Sequence, residues 1–306
     1  MEVVRVQALA LGGLNELPAK FIRPAHEQPE NSKALEGVSV PVISLAQPHD
    51  VVVKEVAEAA AEWGFFLLTD HGIPASLIQE LQKVGNEFFM LPQEEKEAYA
   101  NDPASGKFDG YGTKMTKNHD DKVEWIDYFF HLTAPPSKVN YDIWPKNPPS
   151  YREVNEKYNN EMLRVTDKLL ELLSEGLGLD KKVLKSHVGG EQVELEMKIN
   201  MYPPCPQPQL ALGVEAHTDM SALTLLSFVH IGDQMEVLSN GKFKSVLHRS
   251  LVNKERLRMS WAVFIAPPHE AVIGPLPELV NDQNPAKYST KTYAEYRYRK
   301  FNSIPQ

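Results

Sequence analysis

The decapeptide VELEMKINMY, residues 193–202, alternates with a period of two. Its odd positions are Val193, Leu195, Met197, Ile199 and Met201; its even ones are Glu194, Glu196, Lys198, Asn200 and Tyr202. Successive side chains of an extended chain point to opposite faces, so the spacing predicts a strand with one buried face, stopped by Pro203-Pro204. Downstream, Ala222–Val229 is an apolar run expected to serve as one strand, and Arg258–Ile265 alternates again. Met235–Leu247 is expected to form a hairpin around Asn240-Gly241, with Phe243–Leu247 as its second strand. Upstream the period lengthens to that of helices. One is expected from a capping Asp50 to Trp63 with Gly64 as its stop, another over Pro74–Met90, and the longest over Tyr151–Gly176. In the last, the stripe Val154, Tyr158, Met162, Val165, Leu169 and Leu172 reads as core packing. Phe65–Thr69 reads as a short buried strand and residues 101–121 as a loop. Helices first and strands later predict an α+β fold with a mainly β core. We expect one unit over 1–306, with 1–190 mostly helical and 191–306 holding the core.

Composition narrows the function. With Lys+Arg 32 against Asp+Glu 41, the net charge of -9 argues against binding nucleic acid or acidic membranes through charge. The single cysteine, Cys205, has no internal partner, and nothing in its Pro-rich turn would activate a thiol. No apolar stretch reaches the roughly 18 residues of a membrane span. Met1–Leu14 makes a poor secretory signal, so a cytoplasmic protein is expected, and a monomer acting on a small molecule.

Three positions in the strand-rich half carry chemistry. His217 and Asp219 are i and i+2, on one face of an extended chain, and His248 could bring a second imidazole to them. Two imidazoles and one carboxylate leave three positions of an octahedral ion open, which suits Fe(II) in oxygenases. Arg258 and Ser260 share a strand face, where a guanidinium fork and a hydroxyl could hold a carboxylate.

Taken in order, these residues resemble the signature of 2-oxoglutarate- and Fe(II)-dependent dioxygenases. Asn200-Met201-Tyr202-Pro203-Pro204-Cys205, Trp63-Gly64-Phe65-Phe66, His71-Gly72-Ile73-Pro74 and Trp144-Pro145-Lys146-Asn147-Pro148-Pro149 resemble the plant branch, most of all flavonol synthases and next anthocyanidin synthases. The resemblance implies a double-stranded β-helix (jelly roll) with N-terminal helices, and Fe(II) held by His217, Asp219 and His248. It also implies 2-oxoglutarate chelating the metal, its far carboxylate on Arg258 and Ser260 with Tyr202 and Asn200 nearby. Dioxygen would take the last site, succinate and CO2 would be released, and ascorbate would serve as reductant. The organic substrate would be flavonoid-like, such as a dihydroflavonol, or a related plant metabolite. Its contacts would fall at Tyr128, Phe130, Lys198, Phe264 and Ala266, of which Tyr128 replaces a histidine and Ala266 a glutamate. His119 and His131 lie in or beside that substrate loop. His230 with Asp233 reads as framework, and His71 as a turn residue.

One departure stands out. Only 28 residues, 220–247, separate Asp219 from His248, and Leu226-Ser227 joins directly to Phe228-Val229-His230-Ile231 where the family carries a further hairpin. A shortened sheet follows, with ladder groups expected to be exposed and the core opened over the metal. The alternative expectation is a truncated, catalytically impaired relative that binds ligand or does nothing.

Overall fold

The structure, a computed structural model, describes residues 5–29, 36–113 and 123–306. In chain order the regular elements are α1 (Val6–Leu11), β1 (Val42–Ser44), α2 (His49–Glu62), β2 (Phe65–Thr69), α3 (Ala75–Met90), α4 (Gln93–Glu97), β3 (Gly110–Gly112) and β4 (Asp127–Ala134). There follow α5 (Tyr151–Gly176), α6 (Val183–His187), β5 (Glu194–Tyr202), β6 (Val214–His217), β7 (Leu223–Leu225), β8 (Phe228–Ile231), α7 (Asp233–Leu238) and β9 (His248–Ser250). The chain closes with β10 (Arg258–Ala266), β11 (Val272–Ile273), β12 (Lys291–Thr292) and α8 (Tyr293–Phe301). Among the described residues no helix is long and apolar enough to cross a membrane.

An eight-stranded sheet runs in the order β1-β2-β8-β7-β10-β5-β4-β3, with β6–β9 and β11–β12 as separate pairs. Only β1 and β2 are parallel neighbours. β5 forms as its alternation predicts. Leu195, Met197, Ile199 and Met201 enter the large apolar core with residues of α2, α3 and α5. The even face is not the solvated one expected: Asn200 and Tyr202 are buried where that face lines a cavity, and Glu194 is buried with Lys138 Nζ on its carboxylate (2.8 Å). Four of the eight strands come from the part expected to be mostly helical. β4 escapes the periodicity test because both its faces are covered and its sequence, DYFFHLTA, does not alternate. β3 forms inside the segment expected to be a loop, as a short edge paired to β4. α2 begins one residue before Asp50, after Pro48, so Asp50 sits in the first turn rather than capping it.

The shortened region is where expectation and structure part. Ala222–Val229 is not one strand. It folds as the tight hairpin β7–β8 with Leu226-Ser227 at its tip, in the register Leu223↔Ile231, Thr224↔His230 and Leu225↔Val229. β8 is covered in turn by β2, through Phe65↔His230, Phe66↔Val229 and Leu67↔Phe228. The expected exposure of ladder groups on the large sheet is therefore absent, and the physical reason is adjacency. Strands that neighbour one another in a sheet can be joined by a two-residue turn, so the segment between them can be lost without parting them. Among the described residues β6 and β9 pair with each other alone, apart from the large sheet.

The expected hairpin at 235–247 is a second correction. Asp233–Leu238 is helical, with Asp233 and Glu236 in its first turn and Met235 and Leu238 buried. Asn240 and Gly241 do take left-handed conformations (φ 52 and 77), but they end a helix rather than turn a hairpin. The Asn240 side chain is spoken for: its Oδ1 accepts from the Lys287 backbone and its Nδ2 donates to the Pro285 carbonyl. Phe243–Leu247 is irregular, and His248 itself opens β9.

His131, on β4, is fully buried against Trp144 and Tyr151. Its Nδ1 donates to the Met197 carbonyl (3.3 Å), so Nε2 accepts from the Tyr151 hydroxyl (3.2 Å). Burial drives its pKa down to about 4. A histidine held neutral in the fold but free to charge when unfolded stabilises above its unfolded pKa, near 6.5, and loses that stability as pH falls toward 4. The loss is about 3 kcal/mol for the full shift. The thermal midpoint of the metal-free protein should thus fall between pH 7 and pH 4.5, and less steeply in His131→Phe; parallel curves for the two proteins would contradict this.

Candidate metal centre and its cavity

β6 and β9 pair in antiparallel register with His217 directly opposite His248, and their ring centroids are 4.4 Å apart. Asp219 follows β6 by two residues. Its Oδ1 lies 3.4 Å from His217 Nε2 and 3.8 Å from His248 Nε2. One donor atom from each residue falls within 4.8 Å of the others. The shortened chain brings the three side chains together.

The tautomers follow from the backbone. His217 Nδ1 is 2.8 Å from the Glu215 carbonyl and His248 Nδ1 is 3.1 Å from the Val246 carbonyl. A carbonyl only accepts, so each Nδ1 donates to it and each Nε2 faces inward beside Asp219, where a bound metal would take the place of any second proton. Burial alone would raise the Asp219 pKa, but the His217 contact and both imidazoles hold it down to about 2. Burial likewise works against protonating His217, and Asp219 outweighs it and raises its pKa. The carboxylate is 6% exposed, and its Oδ2 has no hydrogen-bond partner. A buried ionised oxygen left unpaired is costly. A divalent cation among these donors would satisfy it, so the donor set fits a metal ion.

A second cluster stands beside it on the even face of β5 and on β10. Register pairs Tyr202 with Arg258, Asn200 with Ser260 and Lys198 with Ala262. Asn200 Nδ2 donates to Ser260 Oγ (3.2 Å), while Asn200 Oδ1 is buried without a partner. The Arg258 guanidinium lies 4.7 Å above the Tyr202 ring and makes no ion pair among the described residues. An exposed guanidinium beside a serine hydroxyl suits a carboxylate.

Both clusters line one cavity of about 910 Å³. It passes the β7–β8 tip and reaches Tyr158, Met162 and Val165 of α5, residues whose stripe reads in sequence as core alone. Of the expected substrate contacts, Lys198 and Phe264 line it; Tyr128, Phe130 and Ala266 do not. Tyr128 and Phe130 share the cavity-facing side of the sheet but stand one strand further out, opposite Asn200 and Lys198. Tyr128 is buried, and its hydroxyl accepts from Asn101 Nδ2 (2.8 Å) while its ring carries Lys198 Nζ at 4.6 Å. Burial lowers the Lys198 pKa. His119 lies outside the described residues. His230 lines the cavity between Phe65 (5.7 Å, stacked) and His248 (4.8 Å), outside the three-donor group. His71 also lines the cavity, and its Nδ1 accepts from the Ile73 backbone, as its turn position suggests. Burial raises the Cys205 thiol to about 11, which keeps it inert.

Residues 193–228 and 227–267 match the family model of the 2OG-Fe(II) oxygenase superfamily, and residues 40–147 match that of the non-haem dioxygenase in morphine synthesis N-terminal region. Flavonol synthase 1 of Crocosmia x crocosmiiflora is 50% identical over 335 aligned positions covering all of both chains. This chain belongs to the 2OG-Fe(II) oxygenase superfamily. It is a plant-type 2-oxoglutarate-dependent dioxygenase, and leucoanthocyanidin dioxygenase of Malus domestica is 43% identical, with 95% and 93% of the two chains covered. The crystal structure of JOX2 in complex with 2OG, Fe and JA superposes with a TM-score of 0.90 at 33% identity, covering 97% and 93%. The fold is that of the superfamily, a double-stranded β-helix with helices. The comparisons also place the shortening in this oxygenase: 335 aligned positions against 306 residues leave at least 29 without a counterpart, and the two superfamily matches meet at 227–228, the tip of β7–β8.

Proposed function

We propose that this oxygenase holds Fe(II) through His217, Asp219 and His248, binds 2-oxoglutarate against Arg258 and Ser260, and oxidises a flavonoid-type substrate, a dihydroflavonol first among them. The single observation that carries the reading is the meeting of three donors around a buried, unpaired carboxylate oxygen. With iron and co-substrate bound, the site supplies an oxidation that consumes dioxygen and releases succinate and CO2. The protein's own part is orientation. Glu215 and Val246 carbonyls aim the two imidazoles; Arg258 and Ser260 fix one end of the dicarboxylate; Tyr202 and Asn200 floor that pocket. Lys198 offers a half-buried amine to a phenolic oxygen, Phe264 a flat apolar surface to an aromatic ring, and Tyr128 and Phe130 support them from β4.

Purified protein with Fe(II), ascorbate, 2-oxoglutarate and a dihydroflavonol should yield succinate and oxidised flavonoid in equal amounts. Folded protein that yields neither contradicts the proposal. A second reading, an impaired relative, draws on the exposure of the His217 and His248 side chains (36% and 28%), which the reduced layer leaves open to water. It would show as succinate formed without matching substrate oxidation. Within the main reading, Arg258→Ala should raise the KM for 2-oxoglutarate at least tenfold and Arg258→Lys by less, since lysine keeps the charge but not the fork. An unchanged KM in Arg258→Ala would remove that residue from the co-substrate site.

A further inference from the structure

The C-terminal helix α8 reaches the metal loop from more than 80 positions downstream. Lys300 Nζ donates to the Thr218 carbonyl (2.9 Å), to Thr218 Oγ1 and to Asp233 Oδ2. Thr218 is the residue between His217 and Asp219. Asp233 is tied on its other side as well: its backbone N–H donates to the Asp219 carbonyl (2.8 Å), and its Oδ1 accepts from Ser245 Oγ (2.7 Å), three residues before His248. One ammonium and one carboxylate thus connect both segments that carry the three donors. The same helix is seated at two further points, by Arg297 on Glu196 of β5 (3.1 Å) and by Phe301 stacked on Phe108 (6.2 Å, 5°). The Lys300–Asp233 pair is largely shielded, with side chains 27% and 9% exposed, so it is less screened than the surface pairs on α5.

We propose that Lys300 is a positioning residue for the metal centre: through Thr218 and Asp233 it holds His217 and Asp219 in register with His248. Among the described residues β6 and β9 pair with each other alone, so no further strand stiffens them. The role rests on the three residues being a metal site, and the experiment separates the two claims.

Co(II), whose absorption reports coordination geometry, is titrated into the full chain. Wild type should bind one equivalent and His217→Ala none; if wild type binds none, the metal reading fails and the Lys300 role with it. Lys300→Met should weaken Co(II) binding roughly tenfold and alter the absorption band, since Thr218 and Asp233 then lose the ammonium that fixes the segments carrying the ligands. Its near-UV circular dichroism should stay unchanged, and Lys300→Arg should restore most of the affinity. If Lys300→Met does not fold, Lys300→Leu, which also lacks a donor, is read in the same way. Binding within twofold of wild type with an unchanged band, in whichever of these variants folds, overturns the proposal, as does Lys300→Arg failing to rescue.

Discussion

Replacing Asp219 with alanine will leave a folded chain that no longer binds a divalent metal. The carboxylate is the only anionic donor of the three, and its unpaired Oδ2 marks the place where a cation is wanted. Two neutral imidazoles alone retain little affinity for Fe(II), so binding should weaken by two orders of magnitude or more. The cost to the metal-free fold is smaller and can be bounded. Asp219 has its pKa held near 2 against an ordinary 3.8. A depressed carboxylate stabilises above its unfolded pKa and loses that contribution as pH falls toward the folded value, about 2 kcal/mol here. The thermal midpoint of metal-free Asp219→Ala should drop a few degrees at neutral pH. The larger difference appears on adding metal. Wild type at one hundred times its dissociation constant gains about 2.7 kcal/mol, and the variant at the same metal concentration about 0.4 kcal/mol or less. A metal-induced rise in the variant's midpoint equal to that of wild type would place the ion elsewhere.

Asp127→Ala should be the most destabilising single substitution of a polar residue. Asp127 is wholly buried and accepts from the backbone N–H of Val6 (3.0 Å) and Gln7 (2.7 Å) at the start of α1, and from Thr113 Oγ1 (2.5 Å). Two buried cations belong to the same cluster. Arg5 is clamped by both carboxylate oxygens of Glu97 at 2.7 Å and lies over the Tyr111 ring, while Lys96 reaches Gln7 and the Phe89 carbonyl. Alanine would leave two helix N–H groups unpaired and the Thr113 hydroxyl proton without its acceptor, and would take a buried carboxylate from the neighbourhood of Lys96. Breaking a buried charged network in this way costs about 3–5 kcal/mol. Urea denaturation should show that loss as a lower midpoint at an unchanged m-value; a loss under 1 kcal/mol would mean that water takes the carboxylate's place. Asp127 pairs with Met201 on β5, so release of α1 should reach the Tyr202 side of the cavity as well.

What could be read from the sequence, and what could not, divides along physical lines. β2 and α5 form over the residues their periodicity marks, and β5, α3 and β10 differ by a residue at an end, because each presents one face to a core it can be matched against. β4 was invisible to that test because nothing along it is exposed. Asn240-Gly241 has the conformation it advertises, φ positive at both residues, but a hairpin and a helix C-terminus need the same conformation, and only tertiary packing chooses between them. The joined run at 222–229 misleads for a related reason. Its apolar character says that it is buried, and does not say that it reverses direction at Leu226-Ser227. For the site, the spacing of His217 and Asp219 and the face shared by Arg258 and Ser260 are strand geometry and were legible. The carbonyls of Glu215 and Val246 that set the tautomers carry no side-chain signal, and Lys300 lies too far along the chain for any local pattern to connect it to Thr218. The displacement of Tyr128 and Phe130 from the cavity is a matter of which strand lies next to which, which periodicity does not encode.

The metal centre has to persist in a chain at least 29 positions shorter than its alignment with flavonol synthase 1 of Crocosmia x crocosmiiflora. Anaerobic titration of the full chain with Fe(II) in the presence of 2-oxoglutarate tests that directly. The expected result is one equivalent of iron bound per chain, with a charge-transfer absorption that needs both iron and co-substrate and that vanishes in Asp219→Ala. Folded wild-type protein that binds no more iron than Asp219→Ala, and shows no such band, would contradict it.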